Sequence, residues 1–154
     1  MAKDRSRAAS RETPLNGRGI RLGIVVSEYH ADVTGAMLAG SRKEAQRHRA
    51  TVGKVVRVPG VFDVPLAVER LLERGDVDAV VALGAVVQGE TDHDQVIVHA
   101  VARKLLDLEI DIGKPVALGI TGPGQTLEQA LARIDRGPHA VMAAVKMVLA
   151  LRKV

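Results

Sequence analysis

Four short runs of β-branched and aliphatic residues alternate with longer stretches of helical periodicity along the chain, and this alternation narrows the possible folds sharply. The runs cover residues 20–27, 51–58, 78–87 and 115–120, and helical stretches cover 33–48, 65–74, 92–110, 126–136 and 139–151. Apolar strands separated by helices are typical of a parallel sheet covered on both faces. The sequence therefore predicts a single-domain, three-layer α/β/α sandwich around a four-stranded parallel sheet.

Capping residues place several helix ends in this pattern. Asp32 is expected to cap the first helix, and Pro65 is expected to open the second. Thr126 and Gln129 have the spacing of a capping box, which predicts a helix that starts at residue 126. The Gly137-Pro138 pair is expected to interrupt that helix before the last one begins.

Composition limits the core and the classes of site. The 154 residues include one Tyr, one Phe and no Trp, while 47% are hydrophobic, so the core must be aliphatic. The longest apolar run, residues 79–87, is far shorter than the roughly 20 residues that span a bilayer. The chain has no Cys, which excludes disulfides and thiolate metal sites, and its start lacks a secretory apolar region. We expect a cytoplasmic protein.

Basic residues are concentrated near the amino terminus. Residues 1–19 hold five basic and two acidic residues (+3), which leaves 17 basic and 16 acidic residues (+1) in the rest of the chain. We expect a flexible basic tail over 1–19 and an α/β domain over 20–154. Because the tail contains no aromatic residue that could stack on bases, nucleic-acid binding is disfavoured.

Polar and glycine-rich segments follow all four predicted strands. In open parallel sheets, ligands bind at the carboxyl ends of the strands. Here those ends correspond to residues 27–30, 58–63, 84–93 and 119–126, and the only two aromatic residues, Tyr29 and Phe62, lie in the first two segments. The sequence therefore predicts a ligand site at this edge of the sheet.

The turn before the third helix has the features of an anion site. Residues 89–91 precede a helix amino terminus, where unpaired backbone N–H groups bind phosphate. His93 falls in the first helical turn, where the helix dipole favours a neutral imidazole that can transfer protons. The alternative is a plain capping turn followed by a surface histidine. The Walker and dinucleotide glycine patterns are absent, which disfavours nucleoside triphosphate and NAD sites.

Several ordered motifs, taken together, resemble one known family. They are Ser27-Glu28-Tyr29-His30 with Asp32-Val33-Thr34, the run from Val58 to Pro65, Leu83-Gly84 with the run from Gly89 to His93, and Gln129-Ala130 with Arg133. This series is similar to that of the lumazine synthases, in one register over residues 20–151. The short loop 119–124 and Asp63 are most similar to the archaeal-type branch.

The resemblance implies a flavodoxin-like sheet of strand order 2-1-3-4 and a reaction in riboflavin biosynthesis. In that reaction, 5-amino-6-ribitylamino-uracil condenses with 3,4-dihydroxy-2-butanone 4-phosphate to give 6,7-dimethyl-8-ribityllumazine and phosphate. It needs no cofactor and no metal. The resemblance also implies a homopentamer, in many relatives a sixty-subunit icosahedral shell, with sites at subunit interfaces.

Site residues are implied by the same resemblance. The uracil and ribityl groups correspond to Tyr29, Val61, Phe62, Asp63, Ala85, Val86, Val87 and Leu118, the phosphate to Gly89, Glu90, Thr91 and Arg133, and the acid/base role to His93. Leu118 and Arg133 are implied to come from a neighbouring subunit. For Asp63 a plain helix N-cap is an alternative, and for Phe62 the alternative is core packing.

Some positions depart from the family pattern. Gln88 stands where many members have Arg, which removes a positive charge near the phosphate. His30 replaces a common Asn, and Leu118 cannot stack as the family's Phe would. The short turn at 136–139 lacks a family Lys, which leaves Arg136 and His139 as weak phosphate-site candidates.

Three other functions fit parts of the pattern. An archaeal-type riboflavin synthase has a related fold, but the turn at 89–93 fits the lumazine enzyme better. A non-catalytic flavin- or lumazine-binding shell would keep the site without turnover. A signalling receiver would have an Asp at the end of the third strand, where this chain has Gly84.

Overall fold

A computed structural model describes residues 12–89 and 91–154, and within them strands and helices alternate as the sequence predicts. The strands are β1 (Arg21–Ser27), β2 (Thr51–Val58), β3 (Ala79–Val87) and β4 (Val116–Gln125). The α-helices are α1 (Ala31–Arg47), α2 (Val64–Leu72), α3 (His93–Ile112), α4 (Leu127–Leu131) and α5 (Arg136–Leu151), and a 3-10 turn (Val61–Asp63) precedes α2.

All four strands are parallel, and their order across the sheet is β2-β1-β3-β4. This confirms the predicted order 2-1-3-4. Strand β3 is central, with Leu22 of β1 opposite its Ala79 and Val116 of β4 opposite its Val80. Because β3 is covered on both faces, its first seven residues are buried, which explains why it is the most apolar segment of the sequence.

Two aliphatic clusters fill the space between the sheet and its helices. One face packs against α1 and α5 through residues such as Ile24, Met37 and Val145. The opposite face packs against α2 and α3 through residues such as Val68 and Leu105. Each fully buried Leu, Ile or Val contributes about 1.5–3 kcal/mol by leaving water. The predicted aliphatic core is therefore confirmed, and no described helix is long and apolar enough to cross a membrane.

Strand β4 is longer than predicted. The sequence favoured a loop over 119–124, but pairing continues from Ala85 opposite Thr121 to Val87 opposite Gln125. The register shifts between these two pairs, where Gly122 and Gly124 both have positive φ angles. Because glycine adopts positive φ without a steric penalty, the irregular stretch stays within the strand instead of ending it.

The helix ends near the carboxyl terminus differ from expectation. The capping box is confirmed, since Thr126 Oγ1 accepts from Gln129 N at 3.1 Å and Gln129 Oε1 accepts from Thr126 N at 2.9 Å. However, this helix, α4, already ends at Leu131, and the Gly137-Pro138 pair does not interrupt it. The pair lies in the first turn of α5, where a proline is tolerated because the backbone N–H groups there have no partner within the helix.

At the first helix the predicted cap is also displaced. Helix α1 begins at Ala31 with His30 as N-cap, so Asp32 lies inside the first turn and does not cap it. His30 has a φ of 58°, in the left-handed region. Asn and His adopt this region more readily than most residues. The backbone conformation at position 30 is therefore compatible with the His of this chain and with the Asn that is common in the family.

Residues 12–19 contact the domain near the amino ends of the strands. Leu15 N donates to His48 Nδ1 at 2.8 Å, and Gly17 N donates to His48 O at 2.7 Å. Since Nδ1 accepts, the ring proton is on Nε2, 2.8 Å from Glu44 Oε1. The basic residues Lys3, Arg5, Arg7 and Arg11 lie outside the described residues, and the domain boundary at residue 19 stays a prediction.

Candidate active site

A pocket of about 480 Å³ opens at the carboxyl ends of β1 and β3, beside the turn that follows β2. Its lining residues come from the end of β3, from the segments that follow β1, β2 and β3, and from the start of α3: Tyr29, His30, Gly60, Val61, Phe62, Ala85, Val86, Val87, Gly89, Thr91, His93, Asp94 and Ile97. The pocket therefore brings together residues from positions 29 to 97, as expected for a parallel sheet whose loops meet at one edge.

Tyr29 borders the pocket in the connection from β1 to α1. Its backbone N donates to Pro59 O at 3.3 Å, which ties this connection to the end of β2. The side chain is 72% exposed and meets the His30 ring edge-on, with centroids 5.4 Å apart. Because the ring is not packed in the core, its face is available to a ligand.

The 3-10 turn after β2 supplies the second aromatic ring. Val61 is buried beneath it, whereas Phe62 is 72% exposed, so core packing of Phe62 is excluded. Asp63 Oδ2 accepts from Gly60 N at 3.0 Å, and the Asp63 side chain does not cap α2. Asp63 therefore occupies the N-cap position of α2, as the alternative expected, but its side chain bonds to Gly60 and not to the start of that helix. Asp63 does not line the pocket itself, although Phe62 beside it does.

The end of β3 forms the floor of the pocket. Ala85 is buried, and Val86 and Val87 are half-buried. Just before them, a Cβ on Gly84 would lie 2.8 Å from both Ser27 Oγ and Val61 Cγ2. Since atoms this close would clash, a glycine is required here for β1 and the 3-10 turn to pack against β3.

The predicted phosphate turn leads from β3 into α3 beside this floor. Gly89 and Thr91 line the pocket, and His93, the first residue of the 20-residue helix α3, lines it with them. His93 N donates to Thr91 Oγ1 at 3.4 Å. The helix start directs its positive dipole end and unpaired N–H groups toward this turn. Glu90 lies outside the described residues.

Two further lining residues were not predicted, Asp94 and Ile97. Asp94 is 6% exposed, and its Oδ2 accepts from Gly124 N at 2.9 Å, which fastens the irregular end of β4 to the start of α3. Its position beside His93 in the first turn is the only sequence signal for it. The partner, 30 residues away, follows from the fold alone.

Leu118, Arg133, Arg136 and His139 do not line the pocket of their own chain. Leu118 is on the edge strand β4 and is 53% exposed. Arg133 lies on the surface between α4 and α5, where its Nη1 donates to Gln125 Oε1 at 3.1 Å. Arg136 and His139 are in the first turn of α5.

An ion pair with a clear effect on a carboxyl pKa lies at the amino ends of the strands, opposite the pocket. Hydrogen bonds from Arg21, whose Nη2 is 3.1 Å from Asp78 Oδ1, hold the pKa of the Asp78 carboxyl below its ordinary value. These two residues are at the amino ends of β1 and β3. Within residues 12–89 and 91–154, no group of three acidic or histidine side chains is placed to hold a metal ion.

The family model of 6,7-dimethyl-8-ribityllumazine synthase matches residues 19–152 of the chain. The chain belongs to this family. Relatives named 6,7-dimethyl-8-ribityllumazine synthase include those of Methanocaldococcus jannaschii, 51% identical over 86% of this chain and 94% of the relative, and Methanopyrus kandleri, 53% identical over 87% and 95%. A third, from Archaeoglobus fulgidus, is 47% identical over 87% and 94%.

Family membership confirms the resemblance, which rested on motifs spread over residues 20–151. It also removes the signalling receiver from the alternatives, because the matching model covers residues 19–152, which include all four strands and all five helices of the described chain. The pocket lies where the family motifs converge, since the runs 27–30, 58–65 and 89–93 all contribute residues to its lining.

Proposed function

We propose that the chain condenses 5-amino-6-ribitylamino-uracil with 3,4-dihydroxy-2-butanone 4-phosphate to form 6,7-dimethyl-8-ribityllumazine, releasing phosphate and two water molecules. The observation that carries this proposal is the pocket, in which two exposed rings, a histidine and a helix-start turn face one space. Its volume of about 480 Å³ is within the range of small-molecule sites.

The pyrimidine binds against Tyr29 and the end of β3. A heterocycle stacked on an aromatic ring gains about 1–3 kcal/mol. The half-buried Val86 and Val87 supply an apolar wall next to it. The ribityl chain then extends toward the 3-10 turn, where Phe62 and the exposed side chain of Asp63 are its candidate contacts.

His93 transfers protons between the two substrates. The amine of the pyrimidine attacks the butanone carbonyl and loses water to give a Schiff base, and elimination then expels the phosphate. Tautomerisation and ring closure follow, with loss of a second water. Every step moves a proton, and His93, which lines the pocket at the start of α3, carries an imidazole that can both accept and donate one. Holding two substrates in one pocket provides the remaining acceleration through proximity.

The phosphate binds at the turn before α3. The backbone there and the amino end of α3 attract an anion, and Gly89 and Thr91 border the pocket at this point. We assign Glu90 to the same phosphate-binding segment because it stands between Gly89 and Thr91 in the sequence. Among residues 12–89 and 91–154, no Lys and no Arg lines the pocket. We assign the missing positive charge to Arg133 of a neighbouring subunit, because Arg133 is not among the residues that line the pocket of its own chain.

A shared site requires an assembly, and we propose a homopentamer with closed rotational symmetry, with a sixty-subunit shell as its possible larger form. Leu118 and Arg133 support a shared site because both are exposed and neither lines its own pocket. Light scattering after size-exclusion chromatography measures the mass. A monomeric, fully active enzyme would contradict the shared site.

The reaction is tested by supplying both substrates and following lumazine fluorescence together with released phosphate. We expect equal amounts of the two products from the wild-type chain. Binding of lumazine without turnover would favour the non-catalytic shell, and formation of riboflavin from lumazine alone would favour a riboflavin synthase. A cytoplasmic location stays a prediction from the sequence.

Mixing two impaired variants tests where the site is built. In an oligomer of His93→Ala and Arg133→Ala subunits, some interfaces contain an intact His93 from one chain and an intact Arg133 from the other. Activity should therefore rise above that of either variant when the two are dissociated and reassembled together. The control is each variant reassembled alone, and no recovery in the mixture would place both residues in one chain's site.

A further inference from the structure

The side-chain amide of Gln125 is fully buried at the end of β4 and has hydrogen bonds on both of its sides. Its Nε2 donates to Thr121 Oγ1 at 2.9 Å and to Val86 O at 3.2 Å. Its Oε1 accepts from Arg133 Nη1 at 3.1 Å. A buried amide with all of these contacts satisfied is held rigidly, because rotation would leave several polar groups unpaired.

The partners also determine which way the amide points. Val86 O can only accept, and the Arg133 guanidinium can only donate. Turning the amide over would place its NH₂ group against the guanidinium and its oxygen against the Val86 carbonyl. The observed orientation is thus the one that the surrounding groups require.

Gln125 joins the pocket of its own chain to the arginine that we propose serves the pocket of a neighbouring subunit. Val86 lines the pocket, and Gln88 N, two residues further along, donates to the backbone O of Gln125 at 2.7 Å. Arg133, on the other side of the amide, is on the surface and lies outside this pocket. We infer that Gln125 is a positioning residue that fixes the guanidinium of Arg133 relative to the end of β3. This inference rests on the proposed role of Arg133 in binding the substrate phosphate.

The chemistry of arginine explains why such a residue is useful. A guanidinium has five N–H donors, and the bond to Gln125 uses one of them. The remaining donors have no partner among the residues that the structure describes, and they can bind a phosphate in the bidentate manner that arginine favours. An exposed arginine without a fixed partner samples many rotamers, and binding an anion then costs the entropy of ordering it. Gln125 would lower that cost by holding the guanidinium before the substrate arrives.

Replacing Gln125 with methionine tests the inference, because Gln125→Met keeps the length of the side chain and removes its hydrogen bonds. We expect the KM for the butanone phosphate to rise roughly three- to tenfold, the worth of a typical hydrogen bond, while the KM for the pyrimidine changes less. The matched control is Thr121→Val, which removes another partner of the same buried amide. It should lower the melting temperature without changing the KM for the phosphate substrate.

A double variant separates positioning from a general loss of stability. If Gln125 acts through Arg133, Gln125→Met should have little further effect on the phosphate KM in an Arg133→Ala background. If Gln125→Met does not fold, Gln125→Glu has nearly the same volume, and its carboxylate should bind Arg133 and compete with the substrate phosphate. That variant should also raise the phosphate KM.

A wild-type phosphate KM in a folded Gln125 variant would overturn the inference, as would an effect that adds fully to that of Arg133→Ala. Failure of the proposed function looks different, because the wild-type chain would then form no lumazine at all. The two outcomes are distinguishable in one set of assays.

Discussion

Replacing Tyr29 with alanine removes an aromatic ring that is 72% exposed at the mouth of the pocket. Because the ring contacts little besides His30, its loss should change the free energy of unfolding by less than about 0.5 kcal/mol, as for most surface substitutions. If the ring stacks on the pyrimidine, however, its loss should cost about 1–3 kcal/mol of binding. Stability and affinity should therefore respond very differently.

In kinetic terms, 1–3 kcal/mol corresponds to a rise of roughly 5- to 150-fold in the KM for the pyrimidine, since each 1.4 kcal/mol is a factor of ten. The assay follows lumazine fluorescence while the pyrimidine concentration is varied at saturating butanone phosphate. Direct titration of a lumazine product should show the same loss of affinity. The melting temperature, measured in parallel, should stay close to that of the wild type.

Tyr29→Phe is the matched control, because it keeps the ring and removes only the hydroxyl, for which the described residues offer no hydrogen-bond partner. This variant should bind like the wild type. The stacking role would be refuted by a Tyr29→Ala enzyme with an unchanged pyrimidine KM. A large drop in melting temperature would instead assign the ring to packing between subunits.

Three further predictions concern the acid/base residue, the phosphate contact and the ion pair at the other edge of the sheet. His93→Ala should lower kcat roughly 10²- to 10⁴-fold while the product still binds, and an unchanged kcat would remove His93 from the mechanism. Arg133→Ala should raise the KM for butanone phosphate or lower kcat, with Arg133→Lys intermediate, and wild-type constants in both would reject the phosphate contact. The hydrogen bond from Arg21 lowers the pKa of Asp78, so the pair stabilises the fold above the carboxyl's unfolded pKa of about 3.8, and the stabilisation is lost as pH falls through the lower folded pKa. Asp78→Asn should thus lower the melting temperature at pH 7, the gap should close in acid, and a gap that is independent of pH would contradict this.

Local pattern in the sequence was sufficient to predict the sheet. The alternation of apolar runs and helical stretches predicted most strand ends to within one or two residues, and both ends of β2 were predicted at the observed residues. Such runs are informative because a central parallel strand is buried on both faces and needs apolar residues on both. Few other secondary structures have this requirement. The strand order followed from the family resemblance.

The end of β4 shows where local pattern stops being informative. Glycine and proline at 122–124 normally signal a loop, yet the segment pairs with β3 because Asp94 holds Gly124 N and the amide of Gln125 holds Val86 O. Both contacts join residues 30 or more positions apart. Neither has a periodicity or spacing that the sequence could reveal.

The candidate site was also predictable in part, because the topology places the strand ends while long-range contacts leave no local pattern. Loop residues at strand ends could be assigned from the topology, and Tyr29, Phe62 and His93 do border one pocket. Buried polar residues such as Asp94 and Gln125 were not found, because a polar residue is normally exposed and only the folded chain shows which ones have partners inside. The family motifs identified the residues that would contact a ligand. The structure adds Asp94 and Gln125, whose hydrogen bonds fix the segments around those residues.

The scarcity of aromatic residues has a structural consequence of its own. A core of Val, Leu, Ile and Ala supplies the stability of this domain without any large ring, so neither Tyr29 nor Phe62 is needed inside. Both rings are 72% exposed, in the segments that follow β1 and β2. An exposed aromatic ring leaves apolar surface in contact with water and adds little to the free energy of folding. Two such rings at the mouth of a pocket are therefore best explained by binding to a ligand. Changing either ring should therefore affect catalysis more than stability. Changing Gly84 should affect stability more than catalysis, because an added methyl group would clash with Ser27 and Val61.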